Sequence, residues 1–204
     1  PYYGTSTTGY CIAKYYNPAE YVDLRFKGSV DSPIFRYAEI LLIRAEAGAE
    51  LGEDPELDKT INLLRQRAGL TFMLSPNPPA EGEDPNMIEK YPVIKGPNAW
   101  LIREIRRERR VELFGEGLRY MDILRWHAGD LLNRPKRGAK SNMYTVQELS
   151  YLTGKVPIKD GFIMPYDLRV DYKPNFTEKN YLFNIPLNEI SLNPNLLPQN
   201  PGWE

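Results

Sequence analysis

The chain has 204 residues, with 26 Lys+Arg against 27 Asp+Glu, one His and one Cys. A net charge of −1 excludes a global field that would gather nucleic acid or an anionic membrane. The lone thiol, Cys11, excludes an internal disulfide, and with His127 as the sole imidazole it also excludes Cys/His zinc sites, iron–sulfur clusters and His-rich metal centres.

The N-terminal stretch carries no basic-then-apolar signal, and it begins with Pro1, as a processed or truncated product would. The longest aliphatic run, Ile40 to Ile43, is four residues, far short of the ~20 that span a bilayer. Any membrane anchor is therefore expected outside this sequence. Cys11 follows Thr8, Gly9 and Tyr10 with no apolar core before it, which suits a small buried hydrophobe better than a lipidated residue. Residues 1–33 are rich in Tyr and Gly, with Tyr2, Tyr3, Tyr10, Tyr15, Tyr16 and Tyr21 near the start. Val22 to Phe26 alternates apolar and polar residues and predicts a short edge strand.

Ala38, Leu41, Leu42, Ala45 and Ala49 then lie on one face of a helix over roughly 34–51, stopped by Gly52. Asp54-Pro55 reads as the start of a second helix, with Leu57, Ile61, Leu64 and Ala68 on its buried side and Gly69 at its end. The two make a helical hairpin close in length to one tetratricopeptide unit, with Gly48 among the small residues that let the helices approach. Ser75 to Asn98 has six prolines in 24 residues and reads as a long loop with no helix of its own. A second hairpin spans about 98–130: Asn98 as N-cap, a helix through Phe114, a break at Gly115-Glu116-Gly117, then a stripe of Leu118, Met121, Leu124 and Ala128. Residues 134–141 form a basic loop, and a brief helix follows near 145–152. The last 25 residues have six asparagines, four prolines and only two charges, and predict an extended segment packed on the rest. The expected fold is all-α, with tetratricopeptide-like hairpins, long ordered loops and an extended C-terminal segment.

The run from Ile102 to Leu113 alternates Arg and Glu at helical spacing. It reads as an inter-helix ion network rather than an arginine clamp for phosphate or RNA, with Ile102, Ile105 and Leu113 burying one face. Glu116 with Asp122, or Glu108 with Glu112, are the carboxylate pairs a glycosidase would need. His127 lacks a nucleophile constellation and reads as a capping or packing residue, so no catalytic residue, metal site or cofactor is expected. The loop tyrosines are the candidate ligand-binding residues, Tyr2, Tyr3 and Tyr10 foremost, because an aromatic ring offers a sugar an apolar face and a polar tip. Ordinary packing of those rings is the competing reading.

Four motifs in order carry a resemblance. Phe35 to Ala47, Ile61 to Leu70, Ile105 to Trp126, and Asn184 to Trp203 (with Pro194-Asn195-Leu196 and Gln199-Asn200-Pro201-Gly202-Trp203) resemble those of the SusD/RagB family of Bacteroidetes outer-membrane lipoproteins. Gly9-Tyr10 and Lys14-Tyr15 are similar to the family's approach to the first helix. The likeness covers the C-terminal part of the family pattern, implying that the N-terminal half, with its lipidated cysteine, is a missing partner segment. It further implies a non-catalytic, lipid-anchored protein exposed at the outer membrane, which captures oligosaccharide for a SusC-like TonB-dependent transporter. It implies a structural role for the charged motif, no binding of nucleic acid, and possible variation of specificity in Ser75–Asn98. A tetratricopeptide scaffold that binds protein and has no sugar site of its own is the alternative; a hydrolase is a third.

Overall fold

The computed structural model describes residues 10, 12–15, 31, 33–152, 154–167 and 173–204. The strand expected at Val22 to Phe26, and Cys11, lie outside these residues. The chain divides into two units, one of residues 14–128 and the other of residues 1–13 with 129–204.

In the first unit, helix α1 spans Tyr37–Leu51 and buries Ala38, Leu41, Leu42, Ala45 and Ala49, the stripe its spacing predicts. It starts later than residue 34 because Arg36 is extended (φ −131°, ψ 146°) and its side chain reaches Glu112 and Glu116. Gly52 ends the helix in the left-handed region (φ 73°), and the Glu53 N–H then donates to the Gly48 carbonyl at 2.8 Å.

Asp54-Pro55 does not open the second helix. The Asp54 carboxylate accepts from the Glu56 N–H at 2.8 Å, and Glu56 itself is left-handed. A single 3-10 turn, Leu57–Lys59, follows. Thr60 then interrupts the helix, its hydroxyl donating to the Pro55 and Glu56 carbonyls. Helix α2 is consequently short, Ile61–Arg67. Leu57, Ile61 and Leu64 are buried as expected, but Ala68 is exposed, because the chain has already turned away toward Gly69.

The proline-rich stretch does contain a helix, α3, Pro85–Lys90. Its signal is an Asp-Pro start like that at 54–55, here followed by the helix: Asp84 accepts from the Asn86 N–H at 2.9 Å and Pro85 is the first helical residue. Before it, Asn62 holds Leu74 through both amide atoms, accepting from its N–H (2.7 Å) and donating to its carbonyl (3.2 Å).

Helix α4, Ala99–Glu112, is the centre of the unit. Residues 99–106 are buried without exception, so the first two turns are enclosed on all sides, whereas Arg110 and Val111 near the end are exposed. Asn98 does not cap it; its amide donates to the Ala49 carbonyl at 3.0 Å instead. Gly115 and Gly117, both at φ 80°, break the chain before α5, Arg119–Arg125. The face that α5 buries carries Asp122 and Ile123, followed by Trp126, whereas Met121 is exposed. A purely apolar stripe missed this face because a charge, neutralised by its neighbours, is part of it.

In the second unit, α6 (Asp130–Asn133) precedes a 3-10 turn at Ser141–Met143 and helix α7 (Val146–Leu152). Thr145 and Glu148 cap α7 reciprocally, the Glu148 N–H donating to the threonine hydroxyl and the Thr145 N–H to the carboxylate. Strands β1 (Ile158–Lys159) and β2 (Phe162–Ile163) pair antiparallel, and Lys140 bridges to Phe162 on the other edge. Helix α8 is Leu187–Leu192. The C-terminal segment is stapled by its own amides: Gln199 pairs with both backbone atoms of Ile185, Asn200 donates to Phe183, and the Trp203 indole donates to Lys179 and Leu182. The described residues are thus mostly helical, with one small ribbon, as the all-α expectation requires.

Gly48 tests the hairpin. A Cβ there would sit 2.9 Å from Pro55 Cα, a backbone atom with no freedom to yield. Gly48→Ala should therefore lower stability by about 1–3 kcal/mol in urea denaturation, although alanine is the better helix former by about 1 kcal/mol.

Candidate functional site

The charges of α4 are satisfied from neighbouring segments far more than along the helix. Arg103 reaches Glu83 (2.7 Å) and the Ile94 carbonyl (2.9 Å); Arg106 reaches Glu50 (3.1 Å). Glu108 accepts from Arg65, and Glu112 from Arg36 (2.9 Å) and Arg67 (2.7 Å). Arg109 grips both oxygens of Asp122 at 2.8 Å. Only Arg107 to Glu104, at 3.2 Å, is a pair within α4.

A knot forms where α1 meets α5. Both oxygens of Glu46 accept from Arg125 at 2.6 Å, and one also accepts from the Trp126 indole N–H. Three guanidiniums surround the Trp126 ring: Arg106 at 4.7 Å from its centroid, Arg125 at 4.8 Å and Arg119 at 5.5 Å. Tyr91 closes the cluster edge-on at 6.0 Å. Nε and Nη1 of Arg106 are buried without a hydrogen-bond partner, so the Tyr91 and Trp126 faces are what stabilises much of this guanidinium. Burial draws the Arg106 pKa below its ordinary value.

This lattice accounts for the carboxylates that could serve a hydrolase. Glu116 is held by Arg36 and Lys14, Asp122 by Arg109 and Arg125, Glu108 by Arg65, and Glu112 by Arg36 and Arg67. Burial would raise the Glu116 pKa, but the hydrogen bonds from Arg36 and Lys14 outweigh it and set the carboxyl below its usual range. A general acid needs the opposite shift. Glu104 is the exception, raised by burial against the pull of Arg107 and Arg65, and it lies on the enclosed α4.

Of the tyrosines, Tyr10 is exposed, while Tyr2 and Tyr3 lie outside the described residues. Lys14 tethers its segment by donating to the Glu112 (2.6 Å) and Phe114 (3.1 Å) carbonyls, a role the sequence did not disclose. In the second unit, a shallow recess of about 350 Å³ is lined by Glu178, Lys179, Tyr181, Leu182, Pro201 and Gly202. Its Tyr181 hydroxyl already accepts from the Gly129 N–H at 2.7 Å, and Phe176 packs edge-on against the same ring. The ribbon presents Phe162 beneath Arg137, 5.0 Å from the ring centroid, and Lys140, at 5.9 Å. Among the described residues, no three His, Cys, Asp or Glu side chains converge as a metal site requires, and no helix is long and apolar enough to cross a membrane.

Residues 1–203 match the SusD family. SusD-like protein P2 of Formosa agariphila is 29% identical over 196 residues, 94% of this chain and 30% of that protein. SusD-like protein P38 of the same organism is 29% identical over 127 residues, 60% of this chain and 22% of that protein. The crystal structure of a SusD-like protein of Bacteroides fragilis superposes on 83% of this chain and 25% of its own, with a TM-score of 0.51 and 25% identity. The chain thus spans under a third of the length of the relatives it matches.

Two measurements test the lattice. Asp122→Asn leaves Arg109 buried beside a neutral amide and should cost about 3–5 kcal/mol in chemical denaturation. Because the folded pKa of Glu116 is depressed, its contribution to stability is present above the unfolded carboxyl pKa and is lost as pH falls through the folded value. The melting temperature should accordingly drop below about pH 4, and drop less steeply in Glu116→Gln.

Proposed function

The chain belongs to the SusD family, and we propose from this that it is part of a non-catalytic, surface-exposed, lipid-anchored outer-membrane protein that captures oligosaccharide for a SusC-like TonB-dependent transporter. The family match across residues 1–203 is the observation that carries this reading. The lattice supports it chemically: the paired carboxylates that hydrolysis would need are neutralised by guanidiniums, which suits a rigid binding frame. Capture then rests on surface rings and polar groups, and exposed Tyr10, with Tyr2 and Tyr3 beside it in sequence, is the proposed sugar contact.

A protein-binding scaffold draws on one observation. Ile34, Phe35 and Tyr37, at the start of α1, are more than two-thirds exposed. That apolar surface is of the kind proteins use to meet proteins.

A panel of soluble oligosaccharides against the full-length protein, with the same samples assayed for new reducing ends, separates these readings. Binding without cleavage is expected, with Tyr10→Ala weakening it about tenfold. New reducing ends would overturn the non-catalytic reading, and silence across the panel would favour the scaffold.

A further inference from the structure

Arg36, Arg65, Arg67, Arg103, Arg109 and Arg125 all end on carboxylates; residues 134–160 are built differently. That stretch contains Arg134, Lys136, Arg137, Lys140, Lys155 and Lys159 against only Glu148 and Asp160, in a chain of net charge −1. Lys136 donates to the Leu131 and Leu132 carbonyls at the end of α6, and Lys159 pairs with Asp167 at 2.6 Å. Among the described residues no carboxylate pairs with Arg137 or Lys140, and both lie over the Phe162 ring.

The ribbon fixes which face Lys140 shares with the ring. Phe162 pairs with Lys159 on one side and bridges to Lys140 on the other, so the three share one face. The alternate residues Ala139 and Ile163 occupy the opposite face and are almost wholly buried. Backbone bonds lock the register: Gly138 N–H to Ile163 O (2.7 Å), Ile163 N–H to Ala139 O (3.0 Å) and Ser141 N–H to Gly161 O (2.8 Å). The outer face is therefore a held platform with the Phe162 ring between Lys140 and the Asp167-paired Lys159, and Arg137 reaches over the same ring from the strand end beside Lys140.

We propose that this platform is an oxyanion subsite for an acidic oligosaccharide, one bearing uronate carboxylates or sulfate esters, with Arg137 and Lys140 as its ligand-binding cations. A guanidinium over a ring is positioned without using its N–H edges, which stay available for in-plane contact with two oxygens of one anion. Arg125 is the contrast within the same chain: it too lies over a ring, but Glu46 takes up its edges. Lys140 adds a mobile point charge that tolerates variation in the anion's position. The subsite rests on the glycan-capture reading and narrows its substrate class.

The test is calorimetric titration of the full-length protein with hexagalacturonate, a sulfated galactan hexasaccharide, neutral cellohexaose and a single-stranded oligonucleotide. It is repeated with the Arg137→Gln/Lys140→Gln double variant, whose exposed positions leave the buried face intact. Binding of at least one acidic sugar, weakened about tenfold or more in the variant and by added salt, is the expected result. Unchanged affinity of the variant for the acidic sugars overturns the subsite. So does binding of cellohexaose alone, which leaves glycan capture standing. Oligonucleotide binding as tight as that of the acidic sugars, and equally sensitive to the variant, overturns it in favour of a general polyanion surface. No sugar binding at all overturns both the subsite and the capture reading beneath it.

Discussion

A buried guanidinium cannot shed its charge, so it must be met by an anion or a ring wherever the fold encloses it. Arg65, Arg103, Arg106 and Arg109 are all enclosed here, and each finds a carboxylate on a different segment: Glu108, Glu83, Glu50 and Asp122. The consequence is positional. Helix α4 cannot slide or rotate against α1, α2 or α5 without uncovering a charge. The apolar core of Leu42, Ile61 and Ile105 drives collapse, whereas the ion pairs decide which collapsed arrangement is allowed.

That division explains what could be read from the sequence. The α1 stripe was legible because one face is apolar and the other is not, so the periodicity reports burial directly. The α4 and α5 surfaces were less so. Arg103, Glu104 and Asp122 look solvated in sequence, and their burial depends on partners 13 to 20 or more positions away, as with Arg109–Asp122 and Arg103–Glu83. Asp-Pro was an ambiguous start signal. At 84–85 it opens α3, but at 54–55 the competing hydroxyl of Thr60 and a left-handed Glu56 delay the helix. For the candidate site, Tyr10 is exposed, while residues 134–141 read only as a basic loop because the bridge that ties them to the ribbon, Lys140 with Phe162, joins residues some twenty positions apart. The low charge of the last 25 residues signals order without saying how; the structure shows three of their six asparagines, with Gln199, acting as side-chain substitutes for backbone partners.

The chain therefore uses basic residues in two ways. Around Trp126 and Glu46 they are structural, closed in by carboxylates and rings. Arg137 and Lys140, beside the ribbon, rest on the Phe162 ring. Counting arginines would single out the Ile102 to Leu113 run as the recognition element, but most of that run is buried and its charges are taken up by neighbouring segments. What separates the two is whether the donor edges are already taken.

The Asn62 clamp on Leu74 has a consequence for how this architecture diversifies. One end of the segment that follows is fixed there, and the other at Glu83 and Asp84, which Arg103 and Arg107 hold at 2.7 and 2.8 Å. Between these anchors, closing a longer loop costs only about 0.6 kcal/mol per doubling of its length. The core senses the two anchors and not the span joining them. Residues 76–82 thus form an interchangeable cassette, free to drift in length and chemistry while the helices beneath keep their register.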